Sequence, residues 1–295
     1  MTTVTVRAAR IDDLADAYDI FYKNEIGDLS EPPPKGDIPA GLQHALASSE
    51  MCVAEHAGRI VGFASLTTRG SFSYLSDLFV RQEERSHHIG SALLQQVLPH
   101  DGRICCTMAS TDYRALALYI RAGMQPQWPN LCLRANAPAP DSLPVTDVVV
   151  VEAHVDDREL VRWDAEISGR ERPQDHAFWV RDQGGVPVWF ERQGIRVGYG
   201  YARLGAGTIF YPDACTIGPV GARTAEDAAA CVLAAVTWAQ SRATVLRIDV
   251  PGPHPSLGAL LDTGFRIGYV ETFMSTMDSP FVDGQRYVGS GGDLF

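Results

Sequence analysis

Apolar residues alternate with polar ones in Val4-Thr5-Val6-Arg7, and the spacing then changes to the three-and-four rhythm of an amphipathic helix over 12–24. The pattern predicts a strand at 4–9 ahead of that helix. A loop over 27–39, with Pro32-Pro33-Pro34 inside it, leads to a short helix at 40–48. A hairpin follows, from 51–55 through a turn at His56-Ala57-Gly58 to 59–67. The aromatic and aliphatic run at 72–80 predicts another strand, and beyond a polar loop the spacing at 89–98 predicts a helix. A strand at 103–108, a helix at 112–122 stopped by Gly123, and a last strand at Leu131-Cys132-Leu133 complete the series. Strands alternating with helices after an antiparallel start predict the α/β class, a mixed α+β sheet flanked by helices.

The plan then recurs. Val148-Val149-Val150-Val151 leads through Val155-Asp156-Asp157 into a helix, as Val4-Thr5-Val6-Arg7 leads through Ile11-Asp12-Asp13. Gly58-Arg59-Ile60-Val61-Gly62-Phe63 returns as Gly194-Ile195-Arg196-Val197-Gly198-Tyr199. Leu116-Ala117-Leu118-Tyr119-Ile120-Arg121-Ala122-Gly123-Met124 returns as Leu257-Gly258-Ala259-Leu260-Leu261-Asp262-Thr263-Gly264-Phe265. Three matches in one order signal an internal repeat. Between the copies, RANAPAPDSLPV at 134–145 has linker composition. The expected organisation is two tandem domains, 1–135 and 147–295, joined by a linker at 136–146, and 295 residues suffice for two cores.

Composition narrows the function classes. With 45% apolar and 21% charged residues the chain is globular rather than disordered. No run approaches the ~20 apolar residues of a membrane span. The opening MTTVTVRAARIDD lacks the features of a secretory signal, so a cytoplasmic protein without a membrane partner is expected. The six cysteines form no C-x-x-C pair and read as small core residues, and no metal site is expected. A formal charge of −11 disfavours a nucleic-acid groove and favours, through steering, a cationic small substrate.

The most informative segment is YLSDLFVRQEERSHHIGSALL at 74–94: a strand, a polar loop, then a helix opening near Ile89-Gly90-Ser91. Amides at a helix N-terminus lack intrahelical partners and carry partial positive charge, a geometry that binds phosphate. Many strand-loop-helix units share this arrangement.

Here the chain resembles the GNAT acetyltransferase family. The likeness lies in Asp77-Leu78-Phe79-Val80, Arg85, Ile89-Gly90 and Leu93-Leu94, matching the family's strand, R-G-x-G-I/L-G loop and helix. Asp112-Tyr113-Arg114-Ala115, Leu118-Tyr119 and Gly123-Met124 match its N-x-x-A-x-x-L-Y-x-x-x-G-F pattern. The run at 74–80 is similar to the polyamine and diamine acetyltransferase branch.

The resemblance implies acetyl-CoA as acyl donor and an amine on a small molecule as acceptor, attacked directly without a covalent enzyme intermediate. Backbone around Leu78, Phe79 and Val80 would pair with the pantetheine arm. Arg85, Ser86, His87, His88, Ile89, Gly90 and Ser91 would surround the pyrophosphate. Tyr119 would protonate the departing thiolate, and Asp77 or Glu25 would help deprotonate the amine. Tyr119 also fits a core position on its helix, and Asp77 a strand-edge one. Ser86 and His88 stand where the family has glycines, which allow close approach and positive φ. If they close the loop, the chain is instead a catalytically weak acyl-CoA-binding or regulatory protein.

The loop at 27–39 with Tyr18, Tyr22, Glu25 and Asp28 reads as an amine-binding lip or as a proline-stiffened connector. In the second copy Leu260 replaces Tyr119 and a short loop, Ile217 to Thr224, replaces the phosphate loop, so a degenerate copy is expected. That copy is similar to the C-terminal domain of bacterial two-domain acetyltransferases. The similarity nominates Asp175 and His176, with Trp163, Asp164, Arg170 and Trp179, as completing the substrate cleft. His254 reads as a plain loop residue. Homodimerisation is left open, because sheet edges and internal packing look alike in a sequence.

Overall fold

The computed structural model describes residues 4–85, 87–136, 145–277, 281–292 and 294. The chain divides into two compact units, Met1–Thr107 and Met108–Phe295.

In the first unit the elements run β1 (Thr5–Ala8), α1 (Leu14–Ile26), α2 (Ala40–Ser48), β2 (Glu50–His56), β3 (Arg59–Arg69), β4 (Phe72–Val80), α3 (Ile89–Val97) and β5 (Ile104–Ala109). Strands β1 to β4 are antiparallel neighbours in sequence order, and β5 pairs with β4 in parallel. Ala57 and Gly58 both have positive φ (51° and 75°), the turn that suits a two-residue hairpin. Helix α1 starts two residues later than the sequence pattern suggests. Residues Ile11–Asp13 form a 3-10 turn, and Asp13 there receives both Arg7 guanidinium nitrogens (2.7 and 2.9 Å) and the Arg10 amide (2.7 Å). One face of the sheet packs Val53, Ile60 and Phe63 against Leu14, Ala17 and Ile20 of α1 and Leu42 of α2. Helix α3 buries Ile89, Leu93, Leu94 and Val97. It lies so close to β3 that a Cβ on Gly62 would meet Leu93 Cδ1 at 3.0 Å and Ile89 Cγ2 at 3.3 Å.

The second unit contains α4 (Tyr113–Arg121), β6 (Gln125–Asn136), β7 (Val148–Glu152), α5 (Arg158–Ser168), α6 (Pro173–Asp182), β8 (Gly185–Arg192), β9 (Ile195–Arg203), β10 (Cys215–Ala222), α7 (Ala225–Ala239), β11 (Val245–Pro251), α8 (Leu257–Asp262), β12 (Arg266–Ser275) and β13 (Tyr287–Val288). Its sheet order is β12-β6-β11-β10-β9-β8-β7, with β13 added on β10. Helix α7 is buried along most of its length against Phe190, Ile217, Ile248 and Leu260. The expected strand at Leu131-Cys132-Leu133 is the middle of the much longer β6. That strand runs antiparallel to both β11 (Ile248↔Leu133) and β12 (Ile267↔Leu133). Arg134, Ala135 and Asn136, read from composition as linker, belong to it; 137–144 lie outside the described residues.

The repeat is visible as structure. The elements from β1 to β6 recur in the same order from β7 to β12, and the β8–β9 hairpin turns at Gln193 and Gly194 with the same positive φ values as β2–β3. Both copies pair their fourth strand in parallel with the fifth, and both carry a register shift between the third and fourth. Among the described residues, β13 has no counterpart in the first copy.

Candidate active site

Strand β4 changes character half-way. Ser65 pairs with Asp77 and Leu66 with Leu75, so Ser76 is the extra residue of a β-bulge. Its hydroxyl donates to the Ser65 carbonyl (3.3 Å) and to Asp77 Oδ2 (2.9 Å). The parallel pairs with β5 run from Phe72↔Ile104 to Leu75↔Thr107, where the Thr107 hydroxyl donates to the Leu75 carbonyl (2.8 Å). Up to Leu75 the strand is mostly buried, and from Ser76 to Val80 it is half-buried while still paired with β3. Leu78, Phe79 and Val80 therefore present backbone at a partly open stretch, with Phe79 fixed between Phe63 (5.5 Å) and Phe21 (5.3 Å).

The loop after β4 is anchored by a buried arginine. Arg81 donates to the Ile60 carbonyl (2.8 Å), Asp19 (2.8 Å) and Asp16 (3.0 Å). Burial pushes the Asp19 carboxyl up, but hydrogen bonds from Arg81, Lys23 and Lys35 outweigh it and hold its pKa at about 2. A 3-10 turn at Gln82–Glu84 follows, and the Arg85 amide donates to the Gln82 carbonyl (3.3 Å). The Arg85 guanidinium donates to the Asn24 side-chain oxygen. Asn24 in turn donates to the carbonyls of Val80 (3.2 Å) and Ile20 (2.8 Å), tying loop, strand end and helix α1 together. Ser86 lies outside the described residues. His87 is exposed, 3.6 Å from Glu84, and exposed His88 takes the left-handed conformation (φ 61°, ψ 9°) ahead of α3. The first turn of α3, with Ile89, Gly90 and Ser91, holds no acidic residue and no side-chain cap. A phosphate there would meet amide dipoles and no carboxylate within that first turn.

Of the expected acceptor residues in this unit, Tyr22 donates its hydroxyl to the Pro33 carbonyl, so the proline loop folds back on α1. Lys35 from that loop lies over the Tyr18 ring (4.9 Å to the centroid) and pairs with Asp19 (3.3 Å). Glu25 and Asp28 are exposed.

In the second unit Tyr119 is only 6% exposed on α4, whose N-terminus is capped by Asp112 accepting from the Arg114 amide (2.9 Å). Asp175 and His176 on α6 are buried as well. His176 contacts Tyr201 OH through Nδ1 (2.8 Å) and Asp164 through Nε2 (3.0 Å). Fully buried Asp164 also receives Arg172 on both oxygens (2.7 Å each) and the Tyr199 hydroxyl (2.5 Å). Burial opposes ionisation of Asp164, yet the attraction of Arg172 and its hydrogen bonds hold that carboxyl far below the usual range. For Tyr199 and Tyr201 burial and the neighbouring Asp164 act together and raise the phenols. Sequence reasoning named Asp164 and His176 but missed Arg172, Tyr199 and Tyr201. The available signal was the Tyr199-Gly200-Tyr201 alternation, which places both rings on one strand face.

A family model described as an acetyltransferase (GNAT) domain matches residues 47–125, and a second of the same description matches residues 160–277. The chain belongs to the GNAT acetyltransferase superfamily. It carries two GNAT domains in tandem. Solved structures agree on the fold. A putative acetyltransferase from Pyrococcus horikoshii is 17% identical with a TM-score of 0.76, covering 99% of this chain and 96% of that one. A tandem GNAT protein from the clavulanic acid biosynthesis pathway is 15% identical with a TM-score of 0.62, covering 95% and 100%. A GCN5-related N-acetyltransferase from Sphaerobacter thermophilus is 13% identical with a TM-score of 0.58, covering 96% and 98%. Comparison with curated proteins gives no match. Family membership makes acyl-CoA-dependent acetyl transfer the general activity class of this tandem GNAT chain, with acetyl-CoA the donor the family generally uses. Among the described residues no helix is long and apolar enough to cross a membrane.

The six cysteines of the GNAT domains are free thiols, as expected of small core residues. Burial pushes Cys52, Cys105 and Cys215 each up to about 11, which keeps them protonated and chemically quiet. His254 is a loop residue, as expected, but a buried one. The loop it sits in is packed, leaving it 3% exposed with Nδ1 against the Ser256 hydroxyl (2.8 Å).

Proposed function

We propose that the first GNAT copy transfers an acetyl group from acetyl-CoA to a primary amine of a small molecule. The observation carrying this reading is the half-open end of β4. Its pairing with β5 stops at Leu75 while the strand continues to Val80, and an acid-free helix N-terminus follows. Those features suit an extended amide-bearing arm followed by a pyrophosphate. Leu78, Phe79 and Val80 would offer backbone groups to the arm. Arg85, Ser86, His87, His88, Ile89, Gly90 and Ser91 would enclose the phosphates, with Asn24 positioning Arg85. His88 already adopts the positive φ that a glycine would supply, which counts against a closed loop and so against a merely CoA-binding protein.

Acetyl-CoA supplies an activated thioester. The protein's tasks are to take a proton from the acceptor ammonium and to give one to the departing sulfur. We assign the second task to Tyr119, because the family match at 47–125 spans both the phosphate loop and this residue. Asp77, oriented by Ser76, is assigned the first, with Glu25 as the alternative base. Tyr22 and Glu25, with Asp175 and His176, are the proposed acceptor-binding residues. A net charge of −11 supports a cationic acceptor.

A panel of polyamines, aminoglycosides, amino acids and peptide N-termini with acetyl-CoA, read by free-thiol release, tests the reading. Turnover with at least one amine is expected, together with thermal stabilisation by CoA; absence of both sinks it. With a turned-over amine, Tyr119→Phe should lower kcat about 100-fold at nearly constant KM for acetyl-CoA. An unchanged kcat removes Tyr119 from the acid role.

A further inference from the structure

The second copy has the same strand geometry as the first, but its slot is not open. Strand β10 pairs in parallel with β11 from Cys215↔Leu246 to Ile217↔Ile248, and a register shift against β9 follows between Ile217 and Val220. At the matching place in the first copy the strand becomes half-buried. Here β13 from the C-terminal segment lies along β10 instead, with Val220↔Val288 and Gly221↔Tyr287 antiparallel, and every residue of β10 is buried. The Ala222 amide donates to the Arg286 carbonyl (2.9 Å).

Three side chains also hold the segment. Arg203, 2% exposed, donates to the carbonyls of Gly218 (2.8 Å) and Ser290, bridging the shifted strand to the tail. Arg172 and Arg170 both donate to the Tyr287 hydroxyl (2.6 and 3.0 Å), joining the tail to the buried Asp164 network. A side chain at Gly218 would run into the Gly289 carbonyl, so the glycine there lets the tail pass. The phosphate end is also changed. Helix α7 opens with Glu226 and Asp227, Thr224 caps the Asp227 amide (3.2 Å), and the Arg223 amide is used by the Val197 carbonyl (3.0 Å). Carboxylates in a first turn repel phosphate.

We infer that residues 286–290 are a built-in occupant of the second copy's acyl-CoA slot, their peptide groups standing where the amides of a pantetheine arm would pair. The chain then binds a single acyl-CoA, in the first copy, a count that rests on the function proposed above.

Hydrogen exchange on the full chain tests the occupant directly. Peptides covering 218–223 and 284–292 should exchange only as slowly as the buried core, with and without saturating CoA. Rapid exchange, or loss of protection on adding CoA, overturns the inference. A second test locks the tail with Val220→Cys and Val288→Cys, which face each other across the pair and can be oxidised to a disulfide. Locked and unlocked chains should each bind one CoA by calorimetry; two in the unlocked chain and one in the locked chain overturns the inference. No CoA bound by either chain defeats the proposed function instead, and the exchange rates alone then decide whether the tail is a fixed occupant.

Discussion

At the level of single residues, His88 shows how a departure from the family pattern is absorbed. A non-glycine residue at φ 61° carries a cost of about 1 kcal/mol, roughly what glycine would lose through its freer unfolded chain. His88→Gly should therefore leave the melting temperature nearly unchanged, whereas β-branched His88→Val should destabilise by about 1–2 kcal/mol. Differential scanning calorimetry of the two variants checks this. His254 is a second case. Burial lowers its pKa from 6.5 to about 4, opposed by the nearby Asp283 carboxylate. Between those values the unfolded chain takes up a proton that the folded chain refuses. The stability is intact above pH 6.5 and falls as pH drops towards 4, by about 3 kcal/mol from this group. In denaturant melts at pH 7 and pH 4.5, the wild type should lose about 2 kcal/mol more stability than His254→Gln over that interval.

At the level of elements, the proposed phosphate loop depends on how closely α3 sits on β3. Gly62 lets the helix approach, since a Cβ there meets Leu93 Cδ1 at 3.0 Å and Ile89 Cγ2 at 3.3 Å, and on the strand side the Phe79 carbonyl oxygen of β4, which cannot swing away, at 2.9 Å. Gly62→Val should cost about 1–3 kcal/mol and raise KM for acetyl-CoA more than it lowers kcat. The reverse pattern in steady-state kinetics would mean that the loop is positioned by something else. Sequence reasoning placed β4, α3 and α4 within a residue or two, because their apolar periods are long and bounded by polar loops or by Gly123. It shortened β6 to three residues, because Pro126, Pro129 and Asn130 break the alternation. Pairing on both sides, with β11 and β12, overrides that weak local preference. The bulge at Ser76 was equally hidden, since an extra residue is defined only by the register of the neighbouring strand.

On the scale of the whole chain, the sequence repeat and the compact units divide the residues differently. By repeat order β6 closes the first copy, yet it is hydrogen-bonded between two strands of the second. A fragment ending at residue 135 would expose both edges of β6, and one starting at 147 would lose the strand between β11 and β12. Neither fragment should fold as a stable monomer. Circular dichroism melts showing a cooperative transition for either would contradict this.

The sequence alone determined the α/β class, the tandem repeat, the family, and the strand-loop-helix on which the proposed site residues sit. All of these are written in local periodicity or in short motifs, which need no partner to be read. Tertiary structure decided the rest: Asn24 and Arg81 tethering the loop after β4, the buried Asp164 network around His176, the placement of β6, and the tail strand lying along β10. Each joins residues far apart in the chain, and such pairings are fixed by register and burial rather than by any nearby pattern.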